Sequence, residues 1–122
     1  MKIDFITVYT IDIDKTIGFY QRVLDFKVVR RFTPGTGMEI VFMDDQHGHQ
    51  IEFIKDIKEL PYSGSGLSLG FYVKDIKQTA AHLESHGVEI LFGPFAMPSG
   101  VKLLHARDNN ALELGFVEQP AK

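Results

Sequence analysis

DFITVYTIDIDKTIGFY, residues 4–20, and GLSLGFYVKDIKQTAAH, residues 66–82, follow the same plan. Each is a short apolar strand pattern, then an aspartate, then the start of an amphipathic helix. The aspartates, Asp12 and Asp75, stand 63 positions apart, and so do Phe5 and Ser68 in the two strand patterns. The sequence therefore predicts two similar half-units in one chain.

Each half continues with three further strand patterns, so both halves have the order βαβββ. We predict an α+β fold of two βαβββ modules, whose curved mixed sheets enclose a cavity and carry the helices on their outer faces. The modules cover about 1–54 and 67–119 of a single domain, 1–122, and a Gly-, Ser- and Pro-containing connector at 55–66 joins them. The predicted strands are DFITVYT, FKVVRRF, MEIVFMD and QIEFI in the first half and LSLGFYV, VEILF, VKLLHAR and ALELGFV in the second.

The composition fits one globular domain that has room for a core. The chain has 122 residues, of which 44% are hydrophobic and 24% charged, and its net charge of −3 is spread without blocks. We therefore expect neither a nucleic acid nor a membrane as partner. There is no cysteine, which excludes disulfides and thiolate chemistry. The N-terminus carries acids where a signal peptide needs an apolar run, so we expect a cytoplasmic protein.

Alternation along the strands assigns their side chains to two faces. One face is apolar and is predicted to pack on the helices; it holds Ile6, Val8, Ile51, Phe53, Leu69, Phe71, Leu112, Leu114 and Phe116. The other face mixes aromatic, acidic and small side chains, which fits a half-open cavity better than solvent or core. The candidate ligand-binding residues on this mixed face are Phe5, Tyr9, Glu52, Ser68, Tyr72 and Glu113.

Glu52 and Glu113 are the members of this set with acid–base chemistry. A carboxylate away from water is costly unless it finds water, a donor such as Tyr9 or Tyr72, or a cationic ligand. Such a carboxylate can also act as a general base, which makes Glu113 the candidate catalytic residue. The alternative is that both acids are solvated in a wet groove and have no function.

Two motifs carry a resemblance to a known family. The paired βαβββ units, with DIDKTIGFYQRVLDF at 12–26 and LELGF at 112–116, resemble the vicinal oxygen chelate superfamily of glyoxalase I, bleomycin-resistance proteins, extradiol dioxygenases and fosfomycin-resistance enzymes. The resemblance covers nearly the whole chain, and it implies a homodimer. It also implies four metal-ligand positions, which fall on Phe5, Glu52, Ser68 and Glu113.

Of these four residues, only the two glutamates have side chains of a type that binds metal ions. A catalytic zinc site normally has three protein ligands, and a non-haem iron triad has two His and one carboxylate. We therefore expect no bound metal and no cofactor. His47 and His49 have the wrong strand parity to join Glu52, and a polar loop is the simpler interpretation of HGH. If Asn109-Asn110 is a two-residue turn, His105 lies opposite Leu114 and faces the helix side.

Two functions remain open. The first is a metal-independent protein of the bleomycin-resistance kind, which binds a small organic molecule. A cationic ligand such as an aromatic amine would suit the two acids. The second is a glyoxalase-like lyase or isomerase of the lactoylglutathione-lyase type that uses Glu52 and Glu113. The loop GPFAMPSG, 93–100, either covers the cavity or forms a dimer contact.

Overall fold

The structure, a computed structural model, describes residues 1–121. The chain forms two compact units, Met1–Ser63 and a second that begins at Gly64. Each unit contains one helix and one four-stranded mixed sheet in the order βαβββ. The predicted α+β fold of two βαβββ modules is therefore confirmed. Within 1–121, no helix has the length and apolar character needed to cross a membrane.

The first unit has its strands in the order β1-β4-β3-β2. Strand β1 is parallel to β4, and the other neighbours are antiparallel. Its elements are β1 (Phe5–Tyr9), α1 (Ile13–Arg22), β2 (Lys27–Gly35), β3 (Met38–Asp44) and β4 (Gln50–Asp56).

The second unit repeats this arrangement with the order β5-β8-β7-β6, in which β5 is parallel to β8. Its elements are β5 (Ser68–Tyr72), α2 (Ile76–Ser85), β6 (Ile90–Ala96), β7 (Lys102–Arg107) and β8 (Glu113–Glu118).

Both helices begin directly after the aspartates that the sequence indicates. The Asp12 carboxylate accepts a hydrogen bond from the amide of Lys15, and Asp75 caps α2 in the same way. After the helices, Asp25 and Gly87 have φ angles of 60° and 70°. These are left-handed conformations that turn the chain back toward its sheet.

In each sheet, one face packs on the helix of the same unit. Tyr20 of α1 is fully buried, and its ring lies 4.8 Å from that of Phe53 on β4. The predicted apolar face is buried at most positions, including Val8, Leu114 and Phe116, and its chief exception is Ile6, which is 40% exposed. Burial of each large apolar side chain contributes about 1.5–3 kcal/mol to stability.

Three strands extend at least two residues further than the sequence predicts, and the first of them is β2, which continues to Gly35. Strand β4 continues to Asp56, so it takes in the first residues of the predicted connector. Strand β6 continues to Ala96, so that Phe95 pairs with Leu103 instead of lying in a loop. Register shifts on either side of Phe92 interrupt β6, and this irregular pairing hides the strand from sequence periodicity.

Candidate ligand-binding faces

The first sheet turns one face away from α1, and we call it the Glu52 face. It carries three of the predicted site residues and several that the sequence did not single out. Its members are Phe5, Thr7, Tyr9, Lys27, Arg30, Phe32, Met38, Ile40, Phe42, Asp44, Gln50, Glu52, Ile54 and Asp56.

One row of this face runs straight across the four strands. Thr7, Glu52, Phe42 and Arg30 are paired in register from β1 through β4 and β3 to β2. The Thr7 hydroxyl donates a hydrogen bond of 2.6 Å to Oε1 of Glu52. The Glu52 carboxylate is half-buried and has a protein donor, so it does not need a cationic ligand to satisfy it.

Aromatic rings surround this row. The Phe5 ring meets the Phe42 ring edge-on at a centroid distance of 5.4 Å, and Phe5 stays 45% exposed. Tyr9 is half-buried and packs on the cluster of Ile40, Phe42 and Ile54. Phe5 therefore presents its ring to solvent, while Tyr9 contributes to an apolar patch at the other end of β1.

The second sheet has a corresponding face, which we call the Glu113 face. Its members are Ser68, Gly70, Tyr72, Phe92, Leu103, His105, Arg107, Glu113, Gly115 and Val117. The opposite face of this sheet carries the buried Leu104, Leu114 and Phe116. It also carries Glu118, whose carboxylate accepts a hydrogen bond from the first amide of α2, so the helix lies on that side.

His105 lies on the Glu113 face, and the expectation that it faces the helix side is wrong. Strand pairing places His105 opposite Gly115 and Ala106 opposite Leu114. The cause is a hairpin loop one residue longer than a two-residue turn: Ala111 takes the left-handed conformation at φ 62°. The buried Asp108 carboxylate holds this loop by accepting hydrogen bonds from the amides of Asn110 and Leu112.

Three contacts fix the imidazole of His105. Its Nδ1 lies 2.6 Å from Oε2 of Glu113, and its ring stacks on Phe92 with centroids 4.4 Å apart and planes 20° apart. The ring also covers Gly115, where an added Cβ would lie 3.2 Å from Nε2. The partner carboxylate favours the tautomer with the proton on Nδ1, which leaves Nε2 as a hydrogen-bond acceptor.

The remaining predicted residues of this face lie at different distances from Glu113. Ser68 is exposed and pairs directly with Glu113. Tyr72 pairs with Val117 at the far end of the strands and is 80% exposed. Ser68 and Glu113 thus form one polar pair, whereas Tyr72 stands apart from it.

The first and last strands pair in a different register in the two units. In the second unit Ser68 faces Glu113, but in the first unit Thr7 faces Glu52, and Phe5 faces Gln50. The sequence indicates this difference, because Ser68 follows Phe5 by 63 positions (68 − 5), whereas Glu113 follows Glu52 by 61 (113 − 52). Sequence reasoning did not select Thr7, Arg30, Phe42 or Phe92, and it placed His105 on the opposite face.

The side chains do not fit the metal that the resemblance implies. Across residues 1–121, no three His, Cys, Asp or Glu side chains come together in a way that could hold a metal ion. On the Glu113 face, the donor side chains of His105 and Glu113 meet, and they are hydrogen-bonded to each other. In the HGH loop, the Asp45 carboxylate accepts hydrogen bonds from the amides of His47 and His49, and this explains the local geometry without a metal.

The comparisons with known proteins decide the family. The model of the glyoxalase/bleomycin resistance protein/dioxygenase superfamily matches residues 2–114. The chain belongs to this superfamily. The predicted resemblance is therefore confirmed, and it covers both units of this superfamily member. Among curated proteins, none matches the sequence.

Solved structures of the superfamily share the fold at low sequence identity. A glyoxalase family protein from Bacillus cereus has a TM-score of 0.82 at 16% identity, over 99% of this chain and 95% of that one. Glyoxalase I of Zea mays, as a variant, has a TM-score of 0.81 at 18% identity, over 96% of this chain. This superfamily member spans only 45% of the maize chain. The trypanothione-dependent glyoxalase I of Leishmania major has a TM-score of 0.78 at 18% identity, over 98% of this chain and 87% of that one.

Proposed function

We propose that this superfamily member binds a small organic molecule and does so without a catalytic metal. The observation that carries the proposal is the arrangement of His105, which is hydrogen-bonded to Glu113 and stacked on Phe92. A polar pair set among apolar and aromatic side chains is the usual composition of a small-molecule site. Phe92 is 43% exposed, so its ring has a free surface for a ligand.

A solvated sheet face without a function has a different composition. Such a face normally carries flexible polar side chains, because they lose little on remaining in water. Here Phe5, Tyr72 and Phe92 are exposed, while both carboxylates have donors within hydrogen-bond distance. Exposed aromatic rings beside hydrogen-bonded polar groups support ligand binding. They are less consistent with two solvated glutamates that have no function.

The hydrogen bonds also change the ligand that we propose. A preference for aromatic amines follows from two unpaired carboxylates, but Glu52 bonds to Thr7 and Glu113 bonds to His105. On the Glu113 face, the Nε2 atom of His105 offers an acceptor, and the Phe92 ring offers a surface for stacking. The ligand of this face is therefore a planar or lipophilic molecule with a hydrogen-bond donor, and it need not carry a positive charge.

A titration monitored by NMR tests the proposal. The protein is treated with chelator and titrated with 2-naphthylmethanol and, separately, with 2-naphthylmethylamine, while the signals of both faces are followed. We expect both probes to shift signals of the Glu113 face, and we expect His105→Asn to weaken both. Absence of any shift with either probe on either face would overturn the proposal.

A second function is favoured by the same pair of residues. A carboxylate that holds an imidazole by Nδ1 leaves Nε2 able to accept a proton from a carbon next to a carbonyl and to return it to the neighbouring carbon. This 1,2-proton shift is the chemistry of a lyase or isomerase of the lactoylglutathione-lyase type, with Glu113 as the residue that positions and stabilises the base. Turnover of a hemithioacetal by chelator-treated protein, lost in both Glu113→Gln and His105→Asn, would favour this function over simple binding.

The composition of the chain and its exposed side chains also bear on its location, assembly and partners. We propose a cytoplasmic homodimer, without a cofactor and without nucleic acid or membrane as partner. The lack of cysteine and the spread of charge support this setting. The exposed apolar side chains of Val28 and Val29 on the edge strand β2 support association with a second copy.

A further inference from the structure

Arg30 on the Glu52 face is held by aromatic rings. Its guanidinium carbon lies 4.3 Å from the centroid of the Phe42 ring and 5.6 Å from that of Phe32. Arginine stacks on aromatic faces in this way because its planar, weakly hydrated cation interacts with the ring quadrupole. Stacking uses the flat side of the guanidinium and leaves the N–H groups at its edge able to donate.

Arg30 has no carboxylate partner among residues 1–121. None of the ion pairs in that part of the chain includes it, and its side chain makes no hydrogen bond there. Its neighbour Arg31 differs: it faces the α1 side, where it pairs with Asp14 at 3.0 Å and with Glu39. Of two consecutive arginines, one is therefore fully paired, and the other presents its donors on a candidate ligand-binding face.

We propose that Arg30, stacked on Phe42, is a carboxylate-binding site and that the ligand of this face is an organic acid with an aromatic or apolar body. The fork of the guanidinium matches a carboxylate bidentately. The exposed rings of Phe5 and Phe32 flank the buried Phe42 and give the body of the acid a surface to lie on. This inference deepens the proposed function and rests on it, since it names the class of ligand.

The row across the sheet also gives the acid an orientation. Arg30, Phe42, Glu52 and Thr7 follow one another in register, and Thr7 holds the Glu52 carboxylate on the side away from Arg30. The face therefore has a positive end on β2 and a negative end on β4, with a phenyl ring between them. A monocarboxylate binds with its acid group on Arg30, because Glu52 repels that group from the other end.

The experiment compares 2-naphthoate with its neutral isostere 2-naphthamide. Each is titrated into the chelator-treated full chain, and NMR follows the Arg30 side-chain Nε–H signal together with the amides of β2 and β3. We expect naphthoate to shift the Arg30 signal and to bind more tightly than naphthamide. Arg30→Gln should weaken naphthoate about tenfold or more, since hydrogen bonds between charged groups are the strong ones. The same substitution should change naphthamide binding less than about twofold.

The matched control is Arg22→Gln, which removes the same charge from an exposed position at the end of α1. Unchanged naphthoate binding in this variant is expected, and equal weakening in both variants would show non-specific attraction and overturn the inference. Phe42→Leu should weaken naphthoate as well, because it removes the ring that orients the guanidinium.

The remaining outcomes separate this inference from the proposed function. If naphthoate and naphthamide bind the Glu52 face equally and Arg30→Gln changes neither, Arg30 only shields Phe42 from water, and the inference fails while ligand binding stands. If neither naphthoate nor naphthamide shifts a signal on the Glu52 face, the inference fails, and the titrations with 2-naphthylmethanol and 2-naphthylmethylamine decide separately whether the proposed function stands.

Discussion

Nδ1 of His105 lies 2.6 Å from Oε2 of Glu113, and eight residues of hairpin separate the two in sequence. Both side chains are partly exposed, at 21% and 40%. The pair is thus positioned by the fold and still reachable by a small molecule. The second unit therefore has an imidazole nitrogen and a carboxylate side by side on one aromatic-lined face.

Because Gly115 has no side chain, the imidazole of His105 has room to lie over it. In Gly115→Ala the new Cβ would lie 3.2 Å from Nε2, so we expect the imidazole to shift slightly against Phe92 and Glu113 and ligand binding on the Glu113 face to weaken. Gly70 is the matched control, since it pairs with Gly115 and has nothing within 4 Å of its own Cβ position. Histidine side-chain NMR shifts and probe titrations of both variants measure the difference. Identical behaviour of the two variants would show that the His105 position has no part in binding.

The Thr7–Glu52 hydrogen bond couples two strands that are far apart in sequence. Thr7→Val should destabilise the fold by about 0.5–1.5 kcal/mol, the net value of one side-chain hydrogen bond, with the lower part of that range favoured by its exposure. A double-mutant cycle with Glu52→Gln, measured by urea unfolding, isolates the coupling. A coupling energy of zero would mean that the Glu52 carboxylate is satisfied by water.

The left-handed conformation of Ala111 sets the register of the last hairpin. Ala111→Gly should raise the free energy of unfolding by about 0.5–1 kcal/mol, because glycine adopts φ of 62° without a steric cost. Ala81→Gly, in the exposed part of α2, should lower it by about 0.5–1 kcal/mol and serves as the control. Destabilisation by both substitutions would show that Ala111 does not hold the strained position.

Much of the fold follows from local signals in the sequence. Asp12 and Asp75 mark the starts of both helices, and MEIVFMD marks β3 at its exact bounds, Met38–Asp44. These elements depend on capping and on alternation within a few residues, which a sequence shows directly. The buried faces of the strands follow for the same reason.

The site depends on relationships that a sequence shows poorly. Thr7 meets Glu52 through the pairing of parallel strands 45 residues apart, and Arg30 meets Phe42 through an edge strand with a register shift. His105 changes face because one extra loop residue reverses the side on which every residue of a strand lies. Such pairings are set by tertiary packing, so alternation alone cannot decide them.

Association of the protein is tested by its mass in solution. We expect a homodimer at micromolar concentration, because edge strand β2 exposes Val28 and Val29 and an unpaired edge favours contact with a second chain. Light scattering on the intact chain measures this, and Val29→Lys should shift the mass toward that of one chain. A monomer at all concentrations would contradict the expectation.

The most direct test of the account is whether binding needs a metal. Protein purified without chelator is analysed for zinc, nickel and iron, and the affinity for 2-naphthylmethanol is then measured after chelator treatment and again after zinc is added. We predict no stoichiometric metal, and we predict the same affinity for 2-naphthylmethanol after chelator treatment and after the addition of zinc. One tightly held metal ion per chain, lost in Glu52→Gln and required for binding, would contradict it.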